Sequence, residues 1–156
     1  MTTIRIVLSL AAHFGWPIFQ MDVKSAFLNG NLTQEVYVEQ SPVFVKVGFE
    51  DWVCRLYKAL YGLKQASRAW YQRIDDFFIK LGLKRTHGDT NCYVSSQGTL
   101  VAIVIVYVDD LIFTGSWTDR VRSIMHSLET TFEMTDLGLL HFFLVKLIAF
   151  SYEIIM

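Results

Sequence analysis

Apolar and polar positions along the chain follow two periods, and the places where one gives way to the other mark out the elements. Residues 3–14 carry apolar side chains at a spacing that fits an amphipathic helix. PIFQMDV, residues 17–23, predicts a strand with Asp22 near its end, and KSAFLNGN predicts a tight connection after it. EVYVEQ predicts a second strand, and residues 41–51, with Pro42 and Gly48, predict a loop. From Ala66 the apolar positions Ala66, Trp70, Ile74, Phe77, Phe78 and Leu81 return to helical spacing, with Arg68, Arg73, Asp75, Asp76 and Lys80 elsewhere on the cylinder, and Gly82 ends the helix. NCYVSS and LVAIVIVYV flank a turn at Gln97 and Gly98, and LIFTGS continues after two aspartates. Ser116 or Thr118 is placed to cap a further helix with the stripe Val121, Ile124, Met125, Leu128 and Phe132, before a last turn and strand begun by DLGLLHFF. Helix, strand, strand, helix, strand hairpins, helix, strand is an α+β order, an antiparallel sheet with helices packed on one face.

Two charges interrupt this pattern where it is most apolar. Asp109 and Asp110 sit between the runs ending at Val108 and beginning at Leu111. Two carboxylates about 4 Å apart repel by around 4 kcal/mol at an effective dielectric of about 20. A shared proton or a divalent cation offsets that repulsion, and hard oxygen ligands favour Mg²⁺ or Mn²⁺. An acidic turn in water is the simpler reading, but it accounts poorly for apolar strands on both sides. Asp22 also follows an apolar strand and precedes a tight turn, so it is placed to join the pair on a neighbouring strand. Three such carboxylates can hold two metal ions about 3.5–4 Å apart, the arrangement for nucleotidyl transfer or phosphodiester cleavage.

Composition narrows the classes. With 156 residues, 53% of them hydrophobic, the chain suits one compact domain with a sizeable core, and no internal repeat or linker divides it. The apolar run ended by Asp109 is too short for a membrane span of about 20 residues, and LGLLHFFLVKLIAF carries His141 and Lys146. The amino terminus fits an amphipathic helix better than a signal peptide. Two cysteines and four scattered histidines give neither a disulfide framework nor zinc spacing. The net charge is −1, yet Arg55, Lys58, Lys64, Arg68, Arg73, Lys80, Lys84 and Arg85 crowd one segment against Asp75 and Asp76. That excess fits a solvated helix face or a surface facing phosphates equally well.

YVDD at 107–110, together with MDVKSAFLNGNLTQEVYVEQ and VCRLYKALYGLKQASRAWY in this order, resembles the reverse transcriptase domain of Ty1/copia-type retrotransposon Pol polyproteins. The resemblance spans nearly the whole chain. It implies one partial polymerase domain over 1–156, a palm with part of the fingers and without thumb, connection or RNase H. It implies an RNA-directed DNA polymerase that extends a primer 3′ end on an RNA or DNA template with deoxynucleotide triphosphates and two Mg²⁺, which Mn²⁺ replaces. Asp22 and Asp109 would be the principal ligands of both ions, Asp110 would assist, and the Val23 carbonyl would complete one shell. Phe27 matches the aromatic gate against a ribose 2′-hydroxyl. Tyr61 and Gly62 fall where the family flanks the incoming nucleotide and templating base, Lys64, Gln65 and Arg68 where it touches template or phosphate, and Tyr107 beside the primer terminus. Other Pol segments or a second Pol chain would be partners, within an intracellular, cytoplasmic virus-like particle.

The sequence departs from the family at three places: Ser67 replaces a proline, SPVFVKVGFED replaces a Pro-Pro-Gly-Phe loop, and Val145, Lys146 and Leu147 stand where glycine, an apolar residue and glutamate are expected. Two other classes use the same residues. One is an inactive, truncated remnant that binds nucleic acid or a partner chain through the cationic segment, and the other is a metal-dependent nuclease.

Overall fold

A computed structural model describes residues 2–140. The chain divides into two compact units, one from the described parts of Met1–Lys24 and Leu83–Met156, the other Ser25–Gly82.

The first unit holds helix α1 (Thr2–Phe14), strands β1 (Phe19–Val23), β4 (Lys84–Arg85), β5 (Cys92–Gln97), β6 (Leu100–Tyr107) and β7 (Asp110–Thr114), helix α3 (Thr118–Glu129) and strand β8 (Met134–Leu139). Its six strands form one sheet in the order β4-β5-β6-β7-β1-β8, antiparallel at every pairing. The amino-terminal strand β1 is therefore an interior strand, enclosed by two strands that come more than eighty residues later in the chain.

The apolar run of β6 and β7 explains why this sheet is covered on both sides. Ile103, Ile105 and Ile112 alternate onto one face, where Ile4 and Val7 of α1 pack with them and Cys92. Val104, Val106, Leu111 and Phe113 alternate onto the other and are also buried. Helix α3 packs against β6 and β7, and its Arg122 guanidinium lies 5.9 Å from the Phe19 ring centroid, on the Phe19–Met21–Val23 side of β1. The two helices thus cover opposite faces, which corrects the expected packing on one face alone. Strands apolar on both faces need a cover on each, at about 1.5–3 kcal/mol for each large side chain removed from water.

The turn into α3 depends on Gly115, whose φ is +139° and whose added Cβ would stand 2.1 Å from the Val101 carbonyl oxygen. That oxygen accepts the Trp117 N–H at 2.9 Å. Neither Ser116 nor Thr118 caps the helix as expected: Trp117 occupies the cap position without a side-chain bond. The Ser116 hydroxyl instead accepts the Val101 N–H at 3.0 Å.

The second unit pairs β2 (Asn31–Glu39) with β3 (Val53–Lys58) as an antiparallel hairpin and adds helix α2 (Ala66–Lys80). Short 3-10 turns occupy Ala26–Asn29 and Pro42–Phe44. Helix α2 packs on the first of these turns and on β2. Gly30 makes that approach possible, since a Cβ there would stand 2.7 Å from the Trp70 nitrogen and 2.8 Å from the Ala69 carbonyl carbon. Ala66, Trp70, Ile74 and Phe78 are buried as their spacing predicts, but Asp75, placed on the polar side by the pattern, is buried too. Strands β3 and β4 have no counterpart in the predicted order. VCRLYK reads poorly as a strand because most of its side chains are exposed, and its pairing to β2 comes from the backbone. The altered tail with Val145, Lys146 and Leu147 lies outside the described residues.

Candidate catalytic carboxylate site

Strands β1 and β7 bring Asp22 directly opposite Asp110. Directly opposed residues point to the same face, with Cβ atoms about 4.5–5.5 Å apart. The two acids therefore stand side by side at the ends of neighbouring interior strands, and at the strand ends rather than along a sheet edge. Tyr107 pairs with Asp110 on the other side, so Val108 and Asp109 form the two-residue turn that closes the β6–β7 hairpin. Asp110 is the first residue of its strand rather than part of the turn.

The Asp109 carbonyl accepts the Val23 N–H at 2.9 Å, tying the hairpin tip to the end of β1. Val108 has φ +60°, a left-handed conformation unusual for a β-branched side chain. A positive φ at the first central residue alone has the sense of a type II′ hairpin turn, where glycine is the usual occupant. The sequence puts valine there instead, with about half of it exposed. Such a residue stores about 1–3 kcal/mol of backbone strain, which the flanking ladder must offset.

Asp22, Asp109 and Asp110 are all partly exposed. Gln20, two residues before Asp22 and on the same face of β1, donates its Nε2 to Asp110 Oδ1 at 2.9 Å. Sequence reasoning missed Gln20, whose contact with Asp110 is set by the β1–β7 register. Among the described residues, no group of three or more His, Cys, Asp or Glu side chains is gathered closely enough to hold a metal ion. Asp22 and Asp110 at paired strand ends, with Asp109 in the adjoining turn, offer the hard oxygen donors that divalent cations take.

Of the remaining expected residues, all but Tyr107 lie in the second unit. The Phe27 and Tyr61 rings meet with centroids 4.6 Å apart at a 55° tilt. Phe27 is half-buried and Tyr61 exposed, while Gly62 follows with φ +90° and open space where a Cβ would lie. Gln65 and Arg68 line a cavity of about 490 Å³ with Gln34, Gln72, Arg73 and Asp76. Lys64 is exposed between these groups in the sequence. Arg55, part of the same cationic segment, pairs with Glu35 at 2.9 Å. Tyr107, in the first unit, is about half exposed.

The described residues form a mixed α/β chain with antiparallel sheets and two paired acids beside a hairpin turn. The model of the reverse transcriptase (RNA-dependent DNA polymerase) family matches residues 1–155, and the chain belongs to that family. It is 43% identical over 143 residues to the Retrovirus-related Pol polyprotein from transposon RE2 of Arabidopsis thaliana, covering 92% of this chain and 10% of that protein. It is 40% identical over 140 residues to the Retrovirus-related Pol polyprotein from transposon TNT 1-94 of Nicotiana tabacum, covering 88% of this chain and 10% of that protein. A putative transposon Ty5-1 protein of Saccharomyces cerevisiae is 36% identical over 118 residues, 76% of this chain and 38% of that protein. The chain thus spans about a tenth of the length of the first two relatives. No solved structure matches it. The resemblance to Ty1/copia-type Pol polyproteins is borne out by these relatives. No helix among the described residues is long and apolar enough to cross a membrane.

Proposed function

We propose that the chain is a partial reverse transcriptase domain, a palm with part of the fingers, that adds deoxynucleotides to a primer 3′ end on an RNA or DNA template. The observation that carries this reading is the register placing Asp22 opposite Asp110 beside the turn that holds Asp109. Asp22 and Asp109 hold two Mg²⁺ ions, or Mn²⁺ in their place, with Asp110 assisting and the Val23 carbonyl as a further oxygen ligand. When bound, the two cations lower the barrier to attack by the primer 3′ oxygen and neutralise the leaving pyrophosphate. The chain's own contribution is placement: short side chains on paired strands keep carboxylate oxygens fixed with few rotamers to lose.

Phe27 excludes a ribose 2′-hydroxyl by bulk, with Tyr61 against its ring limiting where it can move. Gly62 permits close approach to the nucleotide, while Lys64, Gln65 and Arg68 contact template or phosphate, and Tyr107 lies against the primer terminus. Other Pol segments or a second Pol chain complete the enzyme, within an intracellular virus-like particle.

The test is primer extension by the purified chain on a primed RNA template with Mg²⁺ or Mn²⁺ and deoxynucleotide triphosphates. Extension by the wild type, lost at least 100-fold in Asp109→Asn, is the expected result, since removal of a principal charge-stabilising group costs on the order of 10²–10³ in rate. Primer shortening would instead indicate a nuclease, and template binding without extension a remnant that only binds.

A further inference from the structure

We infer that Gln20 is a positioning residue that orients the Asp110 carboxylate toward a divalent cation without cancelling its charge. The inference rests on the proposed metal-binding role of the three acids and goes beyond it by assigning the residue that aims one of them.

Register places this contact. Gln20 lies opposite Ile112 while Asp22 lies opposite Asp110, so Gln20 and Asp110 are diagonal neighbours on one face of the β1–β7 pair. A diagonal neighbour is within reach of a long side chain but beyond a short one. The glutamine amide spans the gap and donates Nε2 to Asp110 Oδ1 at 2.9 Å, with the pair partly buried. Gln20 stands at the border of the α1 core, across from buried Ile112, a position where an apolar side chain would also pack. A long polar residue at that border is explained by the carboxylate it reaches.

The chemistry of the donor matters. Lysine or arginine at the same place would fix the carboxylate equally well but would neutralise it and compete with a cation. A neutral amide fixes one oxygen and leaves the full negative charge, together with Oδ2, available. Groups that hydrogen-bond to metal ligands orient them, and their loss typically lowers metal affinity 10–100-fold. Gln20 lies on the strand that also carries Asp22, so a single strand presents one acid and aims another.

Mn²⁺ titration of the full chain, followed by electron paramagnetic resonance without nucleic acid or nucleotide, tests this. Gln20→Met, similar in length and without a donor, is expected to weaken Mn²⁺ binding about 10-fold. Gln20→Asn, whose amide is withdrawn by one methylene, is expected to weaken it similarly and provides a second variant if the first does not fold. Gln20→Lys is expected to weaken binding further, because its charge is added beside the carboxylate. In an Asp110→Asn background, Gln20→Met is expected to have no additional effect, and the melting temperature in metal-free buffer should stay within about 2 °C of the matching parent.

Affinity of Gln20→Met within twofold of wild type would overturn the assignment, as would an equal loss that persists in the Asp110→Asn background. If the wild type binds Mn²⁺ and Asp109→Asn abolishes binding while Gln20→Met is unaffected, the positioning role fails and the carboxylate site stands. A wild type that takes up no Mn²⁺ overturns both.

Discussion

At the scale of single residues, the site is a contest between charge, strain and space. Val108 occupies a turn position suited to glycine, with φ +60°. Relieving about 1–3 kcal/mol of strain outweighs the roughly 0.5–1 kcal/mol of added chain entropy that glycine brings. Val108→Gly is therefore expected to raise the melting temperature by about 3 °C, measured by circular dichroism. An unchanged or lower value would mean that the turn is not strained. Phe27, half-buried against Tyr61, makes a separate prediction: Phe27→Ala should relax discrimination against ribonucleotides at least 10-fold in single-nucleotide incorporation, and unchanged selectivity would remove the gate role. Asp22, Asp109 and Asp110 were legible in the sequence because each breaks an apolar run. Val108 was not, because φ cannot be read from residue type when the residue is a poor fit to its conformation. Gln20 was missed because a glutamine in a strand carries no signal until its cross-strand neighbour is known.

At the scale of elements, α1 is held to the sheet by apolar packing and by a polar anchor. The Thr3 hydroxyl and the Asn91 N–H donate to Asp89 and hold its carboxyl below the ordinary value of 3.8. A lowered native value means that Asp89 contributes stability above the unfolded-state value, lost as the pH falls through the native one. The melting-temperature difference between wild type and Asp89→Asn should therefore be largest near pH 7 and shrink progressively below about pH 3.8, as followed by thermal denaturation across that range. A difference that grows on acidification would contradict the anchor. Most elements were legible because their patterns are strong: α1 and α2 repeat at helical spacing, and β6 and β7 are short continuous apolar runs on either side of the acids. Strand β3 was not, since its exposed side chains leave only a backbone pairing to β2, which periodicity cannot report. The cover on two faces was hidden in the same way. An uninterrupted apolar strand says that both faces are buried, but not which helix covers each.

At the scale of the whole molecule, the division into two compact units follows chain return rather than composition. The first unit is made by β1 entering between β7 and β8, pairings that connect residue 19 with residues 113 and 139. No linker marks the crossing, so nothing in the local pattern announces it. Family membership, in contrast, was legible from three motifs in order, and 43% identity over 92% of the chain to a transposon Pol polyprotein of Arabidopsis thaliana agrees with it. Free thiols fit a chain without a disulfide framework: Cys54 is exposed, while Cys92 is buried and burial pushes its thiol above the ordinary range.

All of these scales meet in whether Asp22, Asp109 and Asp110 close around cations. Anomalous diffraction from crystals of the chain soaked in Mn²⁺ measures this directly. A peak within about 2.2 Å of carboxylate oxygens from both Asp22 and Asp109, lost in Asp109→Asn crystals, is the expected result. Peaks confined to other acids, or none at the β1–β7 strand ends in the wild type, would contradict it.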